Sequence, residues 1–341
     1  MSFKQNLTID DIARNLGVSK TTVSRAISGK GRISEATRTK VLEYIQACNY
    51  RPSAAAKGLA ESRTYNVALV LPRSFIKLDQ PFARLGMSAV CEEAFLHDYN
   101  VLICLSTDDN PDFLRRTLDN RNADGVILSR TVENDPLVRM MHKRGIPFST
   151  MGSLPKRSQG LATVEVDHDQ VGGCYEFTKA ILSGYTDKIA LLGNDMDYVV
   201  NQSRMAGFRK AVQELGIPTE HILIRTGLHD AKSCEKAIDE LLAEDIRFFI
   251  SMDNEVCAYV MDHLKIREIP VPQQIRLASM YDSDTLRTAS PSVTALSFDA
   301  AALGQAACRE LLRYLRSEPY DPTPRLGYQI ELRESTKLEN P

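Results

Sequence analysis

The sequence predicts an all-α helix-turn-helix head and a short linking helix, joined to an α/β body of two doubly wound parallel-sheet subdomains. Three observations predict it. Residues 8–32 carry apolar residues at helical period on both sides of a glycine turn. Basic charge gathers at the same end: residues 1–63 hold 11 Lys and Arg against 5 Asp and Glu, a net of +6, whereas the remainder carries −8. From Asn66 onward, short apolar runs alternate with helical patterns, the sequence form of parallel sheets covered by helices.

In the head, Thr8 is placed to cap a first helix, with Asp11 at capping-box spacing. Ile9, Ile12, Ala13 and Leu16 give that helix one apolar face, and Gly17 accepts the left-handed turn that follows. Ser19 caps a second helix. Its Val23 and Ile27 point inward, while Lys20, Thr21, Thr22, Ser24 and Arg25 face out. A short helix presenting such side chains is what a major groove admits. The run Gly29-Lys30-Gly31-Arg32 lacks the preceding strand and the ending of a phosphate loop and is a turn. Ser34 caps a third helix through about Cys48, packed by Val41, Leu42 and Ile45. Arg51-Pro52 ends it, because the residue before proline is pushed out of helical geometry. Residues 53–60 are helical in composition but only about two turns long, and Gly58 weakens them further.

In the body, strands are expected at 67–71, 101–105, 125–128, 147–151, 188–192, 222–225, 248–252, 276–280, 293–297 and 328–332, with helices at 85–97, 170–182, 203–215, 234–242 and 301–315. Ten strands make two sheets, with a ligand cleft between them at the strands' carboxyl ends. Other classes are excluded. There is no apolar run of membrane-spanning length and no secretory signal. Seven scattered cysteines without a CxxC are reduced, mostly buried thiols of a cytoplasmic protein. No GxGxxG unit, P-loop or HExxH occurs, so neither catalytic residues nor a cofactor is expected. Asp167-His168-Asp169 point in different directions and do not share a metal.

Together these features closely resemble the lactose-repressor (LacI) family of bacterial transcription regulators, over nearly the whole chain. The head carries TIDDIARNLGVSKTTVSRAISGKGRISEATRTKV, followed by NYRPSAAAKGLA as the hinge helix. The body carries VEVDHDQVGG, ILSGYTDKIALLG, RMAGFRKA, DNEVCAYV, YDSD, SPSVTALSFDAAALG and a closing ELREST. The resemblance implies a head at 1–52, a hinge helix at 53–62 and a periplasmic-binding-protein-like body at 63–341. Within the body, an N-subdomain spans about 63–162 plus 293–323, and a C-subdomain about 163–292 plus 324–341.

The same resemblance implies a homodimer on a near-palindromic operator, acting as a repressor controlled by a small carbohydrate-like effector. Lys20, Thr21 and Arg25 then reach base edges, while Thr8, Ser19, Thr22 and Ser24 contact or position phosphates. Lys57 and Leu59 belong to the hinge, with Leu59 wedged in the minor groove. In the cleft, Arg204 stands where the family's arginine holds the ligand, though it could instead pair with a carboxylate on its helix. Asp253 and Asp282 sit at strand ends, where they accept ligand hydroxyls or simply cap the next helices. Phe82 and Phe298 occupy ring-contact positions or core positions. Two departures stand out: Gly152 replaces an acidic ligand position, and Asp253-Asn254 reverses a common Asn-Asp order. Without a leucine-heptad tail, a dimer is expected rather than a tetramer. Activation, corepression and stand-alone sugar binding are the alternatives, and the basic head argues against the last.

Overall fold

The computed structural model describes residues 7–29, 31–48, 50, 58, 61, 63–73, 81–106 and 111–337. The hinge residues Lys57 and Leu59 lie outside them. The chain divides into two compact units, residues 1–65 and residues 66–341.

The first unit holds α1 (Ile9–Leu16), α2 (Lys20–Ser28) and α3 (Glu35–Ala47). Each begins where the sequence places a cap. Thr8 and Asp11 form a reciprocal capping box, Ser19 accepts from the Thr22 amide, and Ser34 accepts from the Thr37 amide. Gly17 ends α1 at φ 66°, a left-handed conformation that costs a side-chain-bearing residue energy. Ile12, Ala13, Val23, Ala26 and Val41 are buried together, with Leu16, Ile27 and Ile45 packed around them. Leu42, expected inside, is 44% exposed.

The second unit contains two six-stranded sheets. In the first lobe, β1 (Asn66–Pro72), α4 (Pro81–Leu96), β2 (Asn100–Ser106), α5 (Asp112–Asp119), β3 (Gly125–Leu128), α6 (Pro136–Arg144), β4 (Phe148–Met151) and β5 (Val164–His168) follow in order. The chain then crosses to the second lobe through α7 (Gln170–Leu182), β6 (Ile189–Leu192), α8 (Val199–Glu214), β7 (Ile222–Arg225), α9 (Ala231–Ala243), β8 (Phe248–Ser251), α10 (Asn254–Ile266), β9 (Arg276–Ser279), α11 (Asp284–Thr288) and β10 (Thr294–Ser297). It returns through α12 (Ala300–Leu315) and β11 (Arg325–Leu326), and ends with β12 (Gln329–Glu331) in the second sheet. The strand orders are β11-β5-β4-β3-β1-β2 and β12-β10-β9-β8-β6-β7. All pairings are parallel except β10 with β12.

Alternation along the strands builds a core on both faces of the second sheet. Phe248 and Ile250 pack on one side, Phe249 on the other. In the first lobe α4 and α12 meet at two glycines, where a Cβ on Gly304 would lie 2.4 Å from the Gly86 carbonyl oxygen.

Two expectations change here. Residues 164–168 form a strand that the sequence reading omitted, because Glu165, Asp167 and His168 disguise it. All three are buried, and Glu165 is paired with Arg325 on β11. The lobe boundaries move accordingly. β5 stays in the first sheet through β4, and β11 joins it there, although segments near 163 and 324 were assigned to the C-subdomain. β10, assigned to the N-subdomain, pairs with β9 in the second sheet. The crossings therefore follow His168, Ser297 and Leu326.

Candidate functional site

In each sheet the strand order reverses once, between β1 and β3 in the first and between β6 and β8 in the second. Loops leaving neighbouring strands in opposite directions open a crevice at such a point. The two crevices contribute to one cleft of about 290 Å³. Most of its lining residues lie at or just after a strand end, and the rest come from helices. Ser129, Arg130 and Thr131 come after β3, Gly152 and Ser153 after β4, and Asp167 and His168 close β5. Across from them stand Asn194 and Tyr198 after β6, Asp253 after β8, Tyr281 after β9 and Phe298 after β10.

Arg204 projects from α8 and is 5% exposed. Its Nη1 donates to the Met252 carbonyl at 2.7 Å, and its guanidinium lies 5.4 Å from the Tyr281 ring centre. It therefore faces the cleft and is not a surface ion-pair partner. Asp253 takes one of the two roles the sequence leaves open, the helix cap. Its Oδ1 accepts from the Val256 amide and caps α10, while its Oδ2 is buried without a partner. Burial raises the Asp253 carboxyl above its ordinary value, against the opposing pull of main-chain hydrogen bonds and Arg204. Phe82 and Phe298 serve twice, lining the cleft while packing on the second lobe's core. Phe298 stacks on Tyr281 at 6.3 Å, and Phe82 meets the Tyr281 edge at 6.5 Å.

Asp282 is a correction. It is absent from the cleft lining and caps nothing, since Ser283 caps α11. Both its carboxylate oxygens accept from Arg333, at 2.8 and 2.6 Å, and Arg287 adds a third bond at 3.1 Å. Burial acts to raise its carboxyl, but these cationic donors outweigh burial and hold it below the usual range. A partner 51 residues away left no local signal.

His168, Gln170, Tyr281 and Ser129 also line the cleft, a place the sequence does not predict for them. Among the described residues, five that line the cleft each hold a buried side-chain atom with no hydrogen-bond partner in the protein: Ser129 Oγ, His168 Nε2, Gln170 Oε1, Arg204 Nε and Asp253 Oδ2. Near Gly152, where an acid was missed, Asp167 arrives from the neighbouring strand. One of its oxygens accepts from the Ser153 amide at 2.9 Å, the other from the His168 amide at 2.8 Å. No cluster of metal-ligating side chains occurs among the described residues.

One rim of the cleft joins the lobes. Val132 forms an antiparallel bridge with Tyr198. The Glu133 amide donates to the Asp197 carbonyl at 2.9 Å, and the Val199 amide to the Thr131 carbonyl at 3.2 Å. Arg130 adds a bond to the Tyr198 hydroxyl at 2.9 Å and lies over its ring.

In the head, the outward residues fall where expected. Thr8, Ser19, Lys20, Thr21, Ser24 and Arg25 are exposed and Thr22 is half-buried. Lys20 pairs with Asp10. The Arg25 stem lies along Gly31, where a Cβ would approach its Cδ to 3.0 Å, so the glycine makes room for the arginine. Gly31 also holds φ at 91°.

A helix-turn-helix unit beside a two-lobed cleft domain defines a DNA-binding regulator built on a periplasmic-binding-protein-like body. Residues 8–53 match the family of bacterial regulatory proteins of the lacI type, and residues 182–336 match a periplasmic binding protein-like domain. Catabolite control protein A of Priestia megaterium is 28% identical over 97% of this chain and 100% of its own length. The regulator CelR of Thermobifida fusca is 27% identical over 94% of this chain and 96% of its own. Among solved structures, a complex of the transcriptional regulator CelR with cellobiose superposes with a TM-score of 0.70 at 25% identity, covering 97% of this chain and 100% of that one. The lac repressor dimer bound to operator and an anti-inducer gives 0.79 at 18% identity, covering 97% and 99%. Residues 8–53 thus carry a lacI-family regulatory domain, and relatives that match nearly the whole chain are transcriptional regulators. No helix among its described residues is long and apolar enough to cross a membrane.

Proposed function

We propose that this regulator represses transcription as a cytoplasmic homodimer on a near-palindromic operator, and that a small carbohydrate-like ligand in the cleft lowers its operator affinity. One observation carries the ligand half. Five buried polar atoms without partners belong to residues that line a cleft walled by Phe82, Tyr281 and Phe298. Burying an unpartnered polar group costs about 1–3 kcal/mol, so their concentration in one cavity suits a ligand that satisfies them. Hydroxyls on the edge of a ring, with apolar faces above and below, match that arrangement. The likeness to the cellobiose-bound regulator supports the same class.

For the DNA half, Arg25 is assigned to a guanine, with Lys20 and Thr21 also at base edges. Thr8, Ser19, Thr22 and Ser24 hold phosphates, and the hinge residues Lys57 and Leu59 act at the centre of the site. The dimer face is assigned to the edge strand β2 and the helices bordering it. Ile103 and Leu105 on β2, Phe95 and Leu96 on α4, and Phe113 on α5 are all exposed. Linkage requires that operator weaken ligand binding by the factor by which ligand weakens operator binding.

The test is selection of duplexes from a random pool at low salt, then anisotropy titration of the selected site with and without cellobiose or ribose. A half-symmetric site whose affinity falls with one of these sugars is expected. A sugar that tightens binding overturns the proposed polarity, and failure to select any palindrome overturns the DNA half.

A further inference from the structure

The partnerless cleft atoms are not chemically balanced. His168 Nε2, Gln170 Oε1 and Asp253 Oδ2 stand against one obligate donor, Arg204 Nε, while Ser129 Oγ serves either way. His168 belongs with the acceptors for a structural reason. It closes β5, is 3% exposed, and sits with its ring 5.1 Å from that of Phe298. The main chain of Asp299 hydrogen-bonds the ring in a way that favours its protonated form, which is the action of a carbonyl accepting N–H. Nε2 is the ring nitrogen left without a partner, and a hydrogen on Nδ1 would leave it free to accept. In that tautomer of the neutral ring, Nε2 holds a bare lone pair.

The charged groups facing the ring are Asp167 on its own strand, Asp299 after β10 and Arg204 on α8. Burial outweighs the two carboxylates, and with Arg204 it holds the histidine below its ordinary value, so the ring is neutral at pH 7.

We propose that His168 selects the ligand: its Nε2 accepts a hydrogen bond from a hydroxyl of an uncharged polyol ring lying on Phe298, and the acceptor-rich cleft rejects anionic sugars such as sugar phosphates. This rests on the reading that the cleft takes a carbohydrate-like ligand and names its charge class. A phosphate oxygen offers only acceptors and would leave His168, Gln170 and Asp253 unsatisfied.

The test uses the full chain with cellobiose, D-glucose, D-ribose and glucose 6-phosphate as probes, read by calorimetry and thermal shift. Expected results are binding of at least one neutral sugar, none of glucose 6-phosphate, at least tenfold weaker binding by His168→Phe, and recovery to within about threefold in His168→Asn, which restores an acceptor. Nitrogen-15 spectra of histidine-labelled protein report the tautomer without any ligand and do not depend on how the variants fold. An unprotonated Nε2 that shifts on sugar binding is expected. A protonated Nε2, full affinity in His168→Phe, or preference for glucose 6-phosphate overturns the proposal while leaving a sugar site intact. If no neutral sugar binds wild-type protein that still holds operator, the carbohydrate reading itself falls and this assignment with it.

Discussion

The head presents its chemistry outward to solvent, whereas the body encloses its own. In the head, five buried residues hold three helices together, and the polar residues of α2 stand out into solvent. In the body, two six-stranded sheets turn their strand ends toward each other and enclose Arg204, His168 and Asp253. Partner size explains the difference. A duplex cannot be surrounded by a three-helix unit, so contacts must be presented, screened by ions and summed over many groups. A small ligand can be surrounded, so a few contacts act in a dry cavity where each is stronger. Operator binding should therefore fall steeply with salt while cleft binding hardly changes.

Single substitutions test that separation, and the largest effect is expected in the cleft. Arg204→Ala removes a buried cation and should weaken ligand binding by about a hundredfold, roughly 3 kcal/mol, with operator affinity of the free protein unchanged. Calorimetry and anisotropy on one preparation check both halves, and an altered operator affinity would break the comparison. Arg25→Ala comes next. It should cost about 2 kcal/mol in operator binding, near thirtyfold, and relax one base position while ligand affinity stays constant.

Thr8→Ala removes the cap of α1 and should destabilise the head by about 1 kcal/mol, seen in its melting and not in the body's. The cap also sets an acid limit. The Thr8 side-chain and main-chain hydrogen bonds hold the Asp11 carboxyl below its ordinary 3.8. Its stabilisation is thus present above that value and is lost as pH falls through the lower folded-state value. The gap between wild type and Thr8→Ala should narrow in strong acid but not close, because the Asp11 amide still donates to the Thr8 hydroxyl of the wild type.

The smallest effect sharpens the picture of the rim. Val199→Pro deletes the amide that reaches Thr131 and replaces a buried apolar side chain with one of similar size. Proline is tolerated at the first position of α8, and Tyr198 before it already has an extended ψ of 122°. A loss of about 1 kcal/mol or less is expected, read as faster hydrogen exchange at the Glu133 amide. Unchanged exchange there would mean that the bridge does not hold the lobes together.

Legibility followed the same division. α7 runs over Gln170–Leu182 as its periodicity predicts, and all three head caps fall on the residues chosen for them. The strand at 164–168 is hidden because Glu165 and Asp167 are satisfied by Arg325, 160 residues away, and by the Ser153 amide, 14 residues away. Asp282 looked like a ligand for the converse reason: a carboxylate at a strand end is chemically apt, and only the fold brings Arg333 onto it. In the sequence His168 reads only as the middle of three neighbouring polar residues, Asp167-His168-Asp169. Its place under Phe298 was not visible from the triplet.

By itself the sequence determined the local structure: the capped helices, the alternation of strand and helix, the two-sheet body and the outward face of α2. These depend on residues within a turn or two of one another. The tertiary structure decided which lobe owns each strand, which carboxylate is neutralised, and which polar atoms are left without partners in the cleft. Those outcomes depend on burial and on partners tens to hundreds of residues away, which periodicity and spacing do not encode.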